Sequence, residues 1–80
     1  MKLQSAIAQR IMNLLNQSKM TKYALCKKVV ISQSSLKRIL DGDTNDIKLT
    51  TITKIADAFD LTLEEFFADP IFNKDDLDID

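Results

Sequence analysis

The sequence predicts an all-α fold, a compact five-helix bundle, and three observations carry that expectation. Apolar residues recur three and four positions apart through most of the chain. Gly42 and Pro70 are its only glycine and proline, and the single Asp-Gly pair at 41–42 is flanked by helical periodicity, so it suits a helix end better than a hairpin. Hydrophobic residues fill 45% of the 80 positions, enough for one small core but not for two domains.

Leu3, Ile7, Ile11, Leu14 and Leu15 set the apolar stripe of a first helix that frays at Asn16-Gln17-Ser18. Thr21 is placed to cap a second helix whose inner face is Leu25, Cys26 and Val29. The chain then turns at Val30-Ile31, with Ile31 directed inward. Ser32 caps a third helix, Gln33 to Leu40, whose apolar positions are Leu36, Ile39 and Leu40. That leaves Gln33, Ser34, Lys37 and Arg38 outward and Ser35 at the boundary, while Gly42 is placed to take the left-handed conformation that ends a helix.

After the polar loop Asp43-Thr44-Asn45-Asp46, Leu49, Ile52, Ile55, Ala56 and Phe59 form the stripe of a fourth helix. Threonines crowd its first turns, so packing must hold it. Thr62-Leu63-Glu64-Glu65 has the form of a capping box and opens a fifth helix through Phe66 and Phe67. Pro70 stops it. The expected organisation is a helical domain over residues 1–69 and a loosely held acidic tail over 70–80.

Charge divides the chain more sharply than composition does. Residues 1–40 hold eight Lys or Arg and no acid, whereas residues 41–80 hold three Lys and all twelve acids. The overall formal charge of −1 therefore conceals halves of +8 and −9. The basic half carries the third helix with its polar outer face, an arrangement that fits the DNA major groove, which is about one helix wide.

Residues 3 to 67 resemble the Cro/phage-repressor (XRE) type of helix-turn-helix domain. The likeness rests on Met20-Thr21-Lys22, on Leu25 with a small residue after it, and on Ile31-Ser32-Gln33-Ser34-Ser35-Leu36-Lys37-Arg38-Ile39. Asp41-Gly42, Ile55-Ala56 and Leu61-Thr62-Leu63-Glu64-Glu65-Phe66-Phe67 continue it in order. Cys26 replaces the usual Ala, and Val30 stands where the turn usually has Gly. A β-branched residue at positive φ is costly, so a different backbone path is expected there. The loop after the third helix carries Asp43 and Asp46 where a phosphate-binding Lys or Arg is common, leaving Asn45 and Lys48 as weaker candidates.

The resemblance implies a sequence-specific, double-stranded DNA-binding regulator acting as a homodimer, and a bare reading head acts most simply by occlusion, so a repressor is the expected sign. It assigns base reading to Gln33, Ser34 and Lys37, and to Arg38 where that side chain reaches the groove, with Ser35 beside them. Thr21 and Lys22 are the expected phosphate contacts at the second helix N-terminus, and Asn45 adds a contact from the loop. Arg10, Lys19, Lys27 and Lys28 are expected to contribute solvation or general field. Phe67, Ile71 and Phe72 are expected to form an apolar patch for the dimer contact, at the end opposite the third helix.

Catalysis has little to stand on. The chain has no His, its lone Cys26 falls on an inner face, and no glycine-rich loop could cradle phosphate. No enzyme activity, metal or cofactor is expected. A lone cysteine forms no internal disulfide, and no apolar run spans a membrane. A cytoplasmic location is the expectation. A rival reading is a protein-interaction module, or an antitoxin-like component, with the acidic tail engaging a protein partner.

Overall fold

A computed structural model describes residues 1–42, 44 and 46–78 and contains, among them, five α-helices and no strand. They are α1 Leu3–Ser18, α2 Lys22–Val29, α3 Gln33–Leu40, α4 Leu49–Ala58 and α5 Leu63–Phe67. Short 3-10 turns follow at Pro70–Phe72 and Lys74–Asp76. α1 packs against α3 and α2 against α4, while α4 also meets α5.

Each helix supplies one of the five most deeply buried large side chains: Ile11, Leu25, Leu36, Ile55 and Phe66. The core is thus a common meeting point, and none of the helices has an independent apolar partner. This arrangement suits short helices, which are marginal alone and need tertiary burial to persist. Cys26 is buried within the same cluster.

The helix ends explain where the chain changes direction. Lys19 adopts the left-handed conformation at φ 55° and its N–H donates to the Leu15 carbonyl, closing α1. The Thr21 side chain accepts from the Ala24 N–H at 3.1 Å and opens α2. Ser32 does the same for α3, accepting from the Ser35 N–H at 3.0 Å. Thr62 and Glu65 form the complete capping box of α5, with each side chain accepting from the other's backbone N–H. Those Thr62 bonds hold the Glu65 carboxyl below its ordinary range. Gly42 has φ +70°, and a side chain there would also meet Ser5 of α1, whose Oγ lies 3.4 Å from the position of a Cβ.

Four sequence expectations are corrected. Val30 does take the left-handed turn conformation, at φ 60° and ψ 51°, instead of another path. Its N–H donates to the Cys26 carbonyl at 2.9 Å, and the Ile31 N–H reaches the same oxygen at 3.2 Å. This bonding closes α2, so the turn keeps its shape at the expense of Val30. Leu3 and Leu49 are not core residues but stay about half exposed, because each opens its helix at the surface. Arg10 is no general field charge. Its guanidinium donates to the carbonyls of Phe66 at 2.8 Å and Glu65 at 3.1 Å and pairs with Asp69 at 3.3 Å. It thereby satisfies the Phe66 carbonyl at the end of α5 and shares the Glu65 carbonyl with the Ala68 N–H.

The fourth concerns the end of the chain. Pro70 begins a 3-10 turn, with Asp69 as its cap, instead of only stopping α5. Phe72 packs back on the core, and the Asp78 N–H donates to the Met1 carbonyl at 2.8 Å. The segment expected to be loose is tied down at both places.

Candidate nucleic-acid interface

α3 is anchored from beneath by Leu36 and Ile39, and its opposite face is open: Gln33, Ser34, Ser35, Lys37 and Arg38 are all exposed. This follows from their spacing, because Leu36 and Ile39 share one face of a 3.6-residue repeat and the polar residues take the rest. Ser35 is less free than the others, since the Ser32 hydroxyl donates to its Oγ at 2.8 Å.

Two surface grooves flank the helix. Thr21, Lys22 and Tyr23 from the start of α2 line the first, together with Gln33, Ser34, Lys37 and Asp41. Ser35 and Arg38 line the second with Thr44, Asp46, Lys48 and Thr51. The polar face of α3 therefore divides by side, with Gln33, Ser34 and Lys37 towards the α2 N-terminus and Arg38 towards the start of α4. Lys37 is engaged on its flank, with Nζ 2.8 Å from Asp41 Oδ2. Asn45, expected as a loop contact, lies outside the described residues.

A family model for the Cro/C1-type HTH DNA-binding domain matches residues 10–70. The chain belongs to the Cro/C1-type helix-turn-helix family. Its match covers α2, the turn, α3 and α4 through α5, so the two grooves lie inside it. No curated protein and no solved structure matched the chain. Among the described residues no helix is long and apolar enough to cross a membrane.

Sequence reasoning gave Tyr23 no role at the site and took Asp41 only as part of a helix end. Tyr23 is more than half exposed, borders both the first groove and the adjoining surface beside Val30, and is stacked by Lys27 at 5.0 Å. The signal was available, because Tyr23 falls outside the inner face that Leu25, Cys26 and Val29 set for α2. Asp41 stands four residues after Lys37, a spacing that brings side chains together on a helix.

The residues expected to meet a second copy are half-buried. Phe67 and Phe72 contact each other edge to face at 4.9 Å and both pack on the core, as does Phe66, 5.1 Å from Phe67. Ile71 is likewise half-buried. Phe67 also borders a shallow groove with Leu3, Ile47 and Leu49, two of which are among the exposed large apolar residues.

Proposed function

We propose that this Cro/C1-type domain is a sequence-specific regulator of double-stranded DNA that docks α3 in the major groove and represses by occlusion. The observation that supports this reading best is the open polar face of α3 between two grooves. A helix so placed directs side chains to base edges while its flanks meet the two phosphate backbones. Gln33 and Ser34 lie at the leading end of α3, where base edges are reached, with Lys37 and Arg38 on its two sides. Gln33 offers a paired donor and acceptor that match adenine N7 and N6, whereas a cation such as Arg38 favours guanine O6 and N7. Thr21 and Lys22 hold phosphate at the first flank. Ser35 supports the helix start and lies against the second flank. Lys48 provides the cation of that second flank, with Asn45 adding a polar loop contact.

The protein acts as a homodimer on a pseudo-palindromic operator, with half-sites about 34 Å apart. Phe67, Ile71 and Phe72 form the contact, and the support for it is that Phe67 continues into exposed Leu3 and Leu49.

The test is selection of bound sequences from a random duplex pool, followed by titration of the recovered duplex and of random duplex. Gln33→Ala is expected to cost about 1–3 kcal/mol on the selected duplex and to leave random duplex nearly unchanged. Lys22→Ala is expected to weaken both and to lower the salt slope by about one unit. Failure of the unmodified protein to bind any duplex at low salt would overturn the DNA reading. Equal losses for Gln33→Ala on both duplexes would remove Gln33 from base reading.

A further inference from the structure

Asp41 is the first acid in the chain, and it stands on the groove that Thr21, Lys22 and Lys37 share. Its Oδ2 lies 2.8 Å from Lys37 Nζ, with both side chains substantially exposed. Helix stability gives no reason for it. Asp41 caps the C-terminus of α3, the negative end of the macrodipole, where a carboxylate is unfavourable. The order Lys then Asp is also the poorer one for an ion pair four residues apart.

We propose that Asp41 is a built-in phosphate mimic that attenuates the affinity of this protein for duplex DNA. The inference rests on the docking of α3 proposed above. In that docking Lys37, on the α2 side of α3, meets the backbone instead of the base edge that the resemblance implies for it, and in the free protein the Asp41 carboxylate occupies the place on Lys37 that a phosphate would take. Binding exchanges carboxylate for phosphate, and Asp41 is then left beside the backbone as a like charge. Both costs arise at the phosphate flank and fall on every sequence alike. Asp41 therefore sets how tightly DNA is held and leaves base discrimination alone.

The experiment compares the unmodified protein, Asp41→Asn, Lys37→Gln and the double variant. Each is titrated with the selected duplex and with random duplex across a salt series, and each is melted without DNA. Asp41→Asn is expected to tighten both duplexes by about tenfold at about 50 mM salt and to steepen the salt slope by about 0.9, the value of one further phosphate contact. The ratio of the two affinities is expected to stay constant, and the melting temperature to hold or rise. With Lys37→Gln in place the gain from Asp41→Asn shrinks, because only the removed repulsion is left.

Unchanged affinity for both duplexes would overturn the proposal. So would weaker binding confined to the selected duplex, which would make Asp41 an acceptor for a base amino group. A fall in melting temperature would assign Asp41 a structural role instead. If the unmodified protein binds no duplex, the docking of α3 fails first, and the two failures are told apart by that control.

Discussion

Replacing Val30 by glycine should make this protein more stable, although it removes a side chain and adds backbone freedom. Val30 sits at φ 60° and ψ 51° and is 87% exposed. Holding a Cβ in that conformation costs about 1–2 kcal/mol, and a β-branched residue belongs at the upper end of that range. Because the side chain is in water, its removal forfeits almost no apolar burial. Against the gain stands the greater entropy of glycine in the unfolded chain, about 0.5–1 kcal/mol. The difference leaves a net stabilisation of about 1 kcal/mol, which for a domain of this size raises the melting temperature by about 4–8 °C. The backbone bonds from Val30 and Ile31 to the Cys26 carbonyl do not depend on the side chain and persist. Thermal and urea unfolding followed by circular dichroism measure the change, with Val30→Ala as the control that keeps the Cβ. A glycine variant no more stable than the alanine variant would refute the reasoning and show that the turn carries no strain at Val30.

Two further outcomes follow from the helix ends. Arg10→Met keeps the apolar stem but leaves the Phe66 and Glu65 carbonyls and the Asp69 carboxylate without the guanidinium. It should cost about 3 kcal/mol in urea unfolding, and a loss below about 0.5 kcal/mol would return Arg10 to the status of a surface charge. Glu65 is held below its ordinary value of 4.5 by its bonds to Thr62. A lowered folded value means that its contribution is complete above the unfolded value and is lost as pH falls through the folded one. Glu65→Gln keeps the cap geometry without the charge, so its melting temperature should fall less between about pH 6 and about pH 3 than that of the unmodified protein. Equal falls would show that the carboxylate charge adds nothing to the cap.

Most of the helical layout was legible in the sequence because local signals and packing agree there. Thr21, Ser32 and Thr62 each carry a capping side chain, and each opens a helix where expected. Gly42 ends α3 at positive φ, as its placement implied. The turn at Val30 was misread because a local preference was weighed without the Cys26 carbonyl, which two successive N–H groups reach only if Val30 is left-handed. Leu3 and Leu49 were misread because periodicity identifies a face but not whether anything covers its first turn. Arg10 depends on contacts with α5 more than fifty residues away, the 3-10 turn that carries Phe72 packs on α1, and no window along the chain registers those. At the candidate interface the exposed face of α3 was legible from spacing alone. The division of that face between two flanks was not, because it depends on where α2 and α4 begin in space.

The anchoring of α3 has a consequence for how the interface behaves in time. Only Leu36 and Ile39 fix this helix fully in the core, and eight residues are too few to hold helical hydrogen bonds in isolation. Its amides therefore exchange with solvent only as slowly as its two anchors remain seated, and no local reserve protects them once the seat is lost. Hydrogen exchange in α3 should rise in step with substitutions at Ile11 or Leu25, which line neither groove, because α3 packs on α1 and α2 and these residues carry those two helices into the shared core. The rigidity with which Gln33 and Arg38 are presented is thus borrowed from the helices that α3 packs on, and a loosened core would blur the interface before the protein as a whole unfolds.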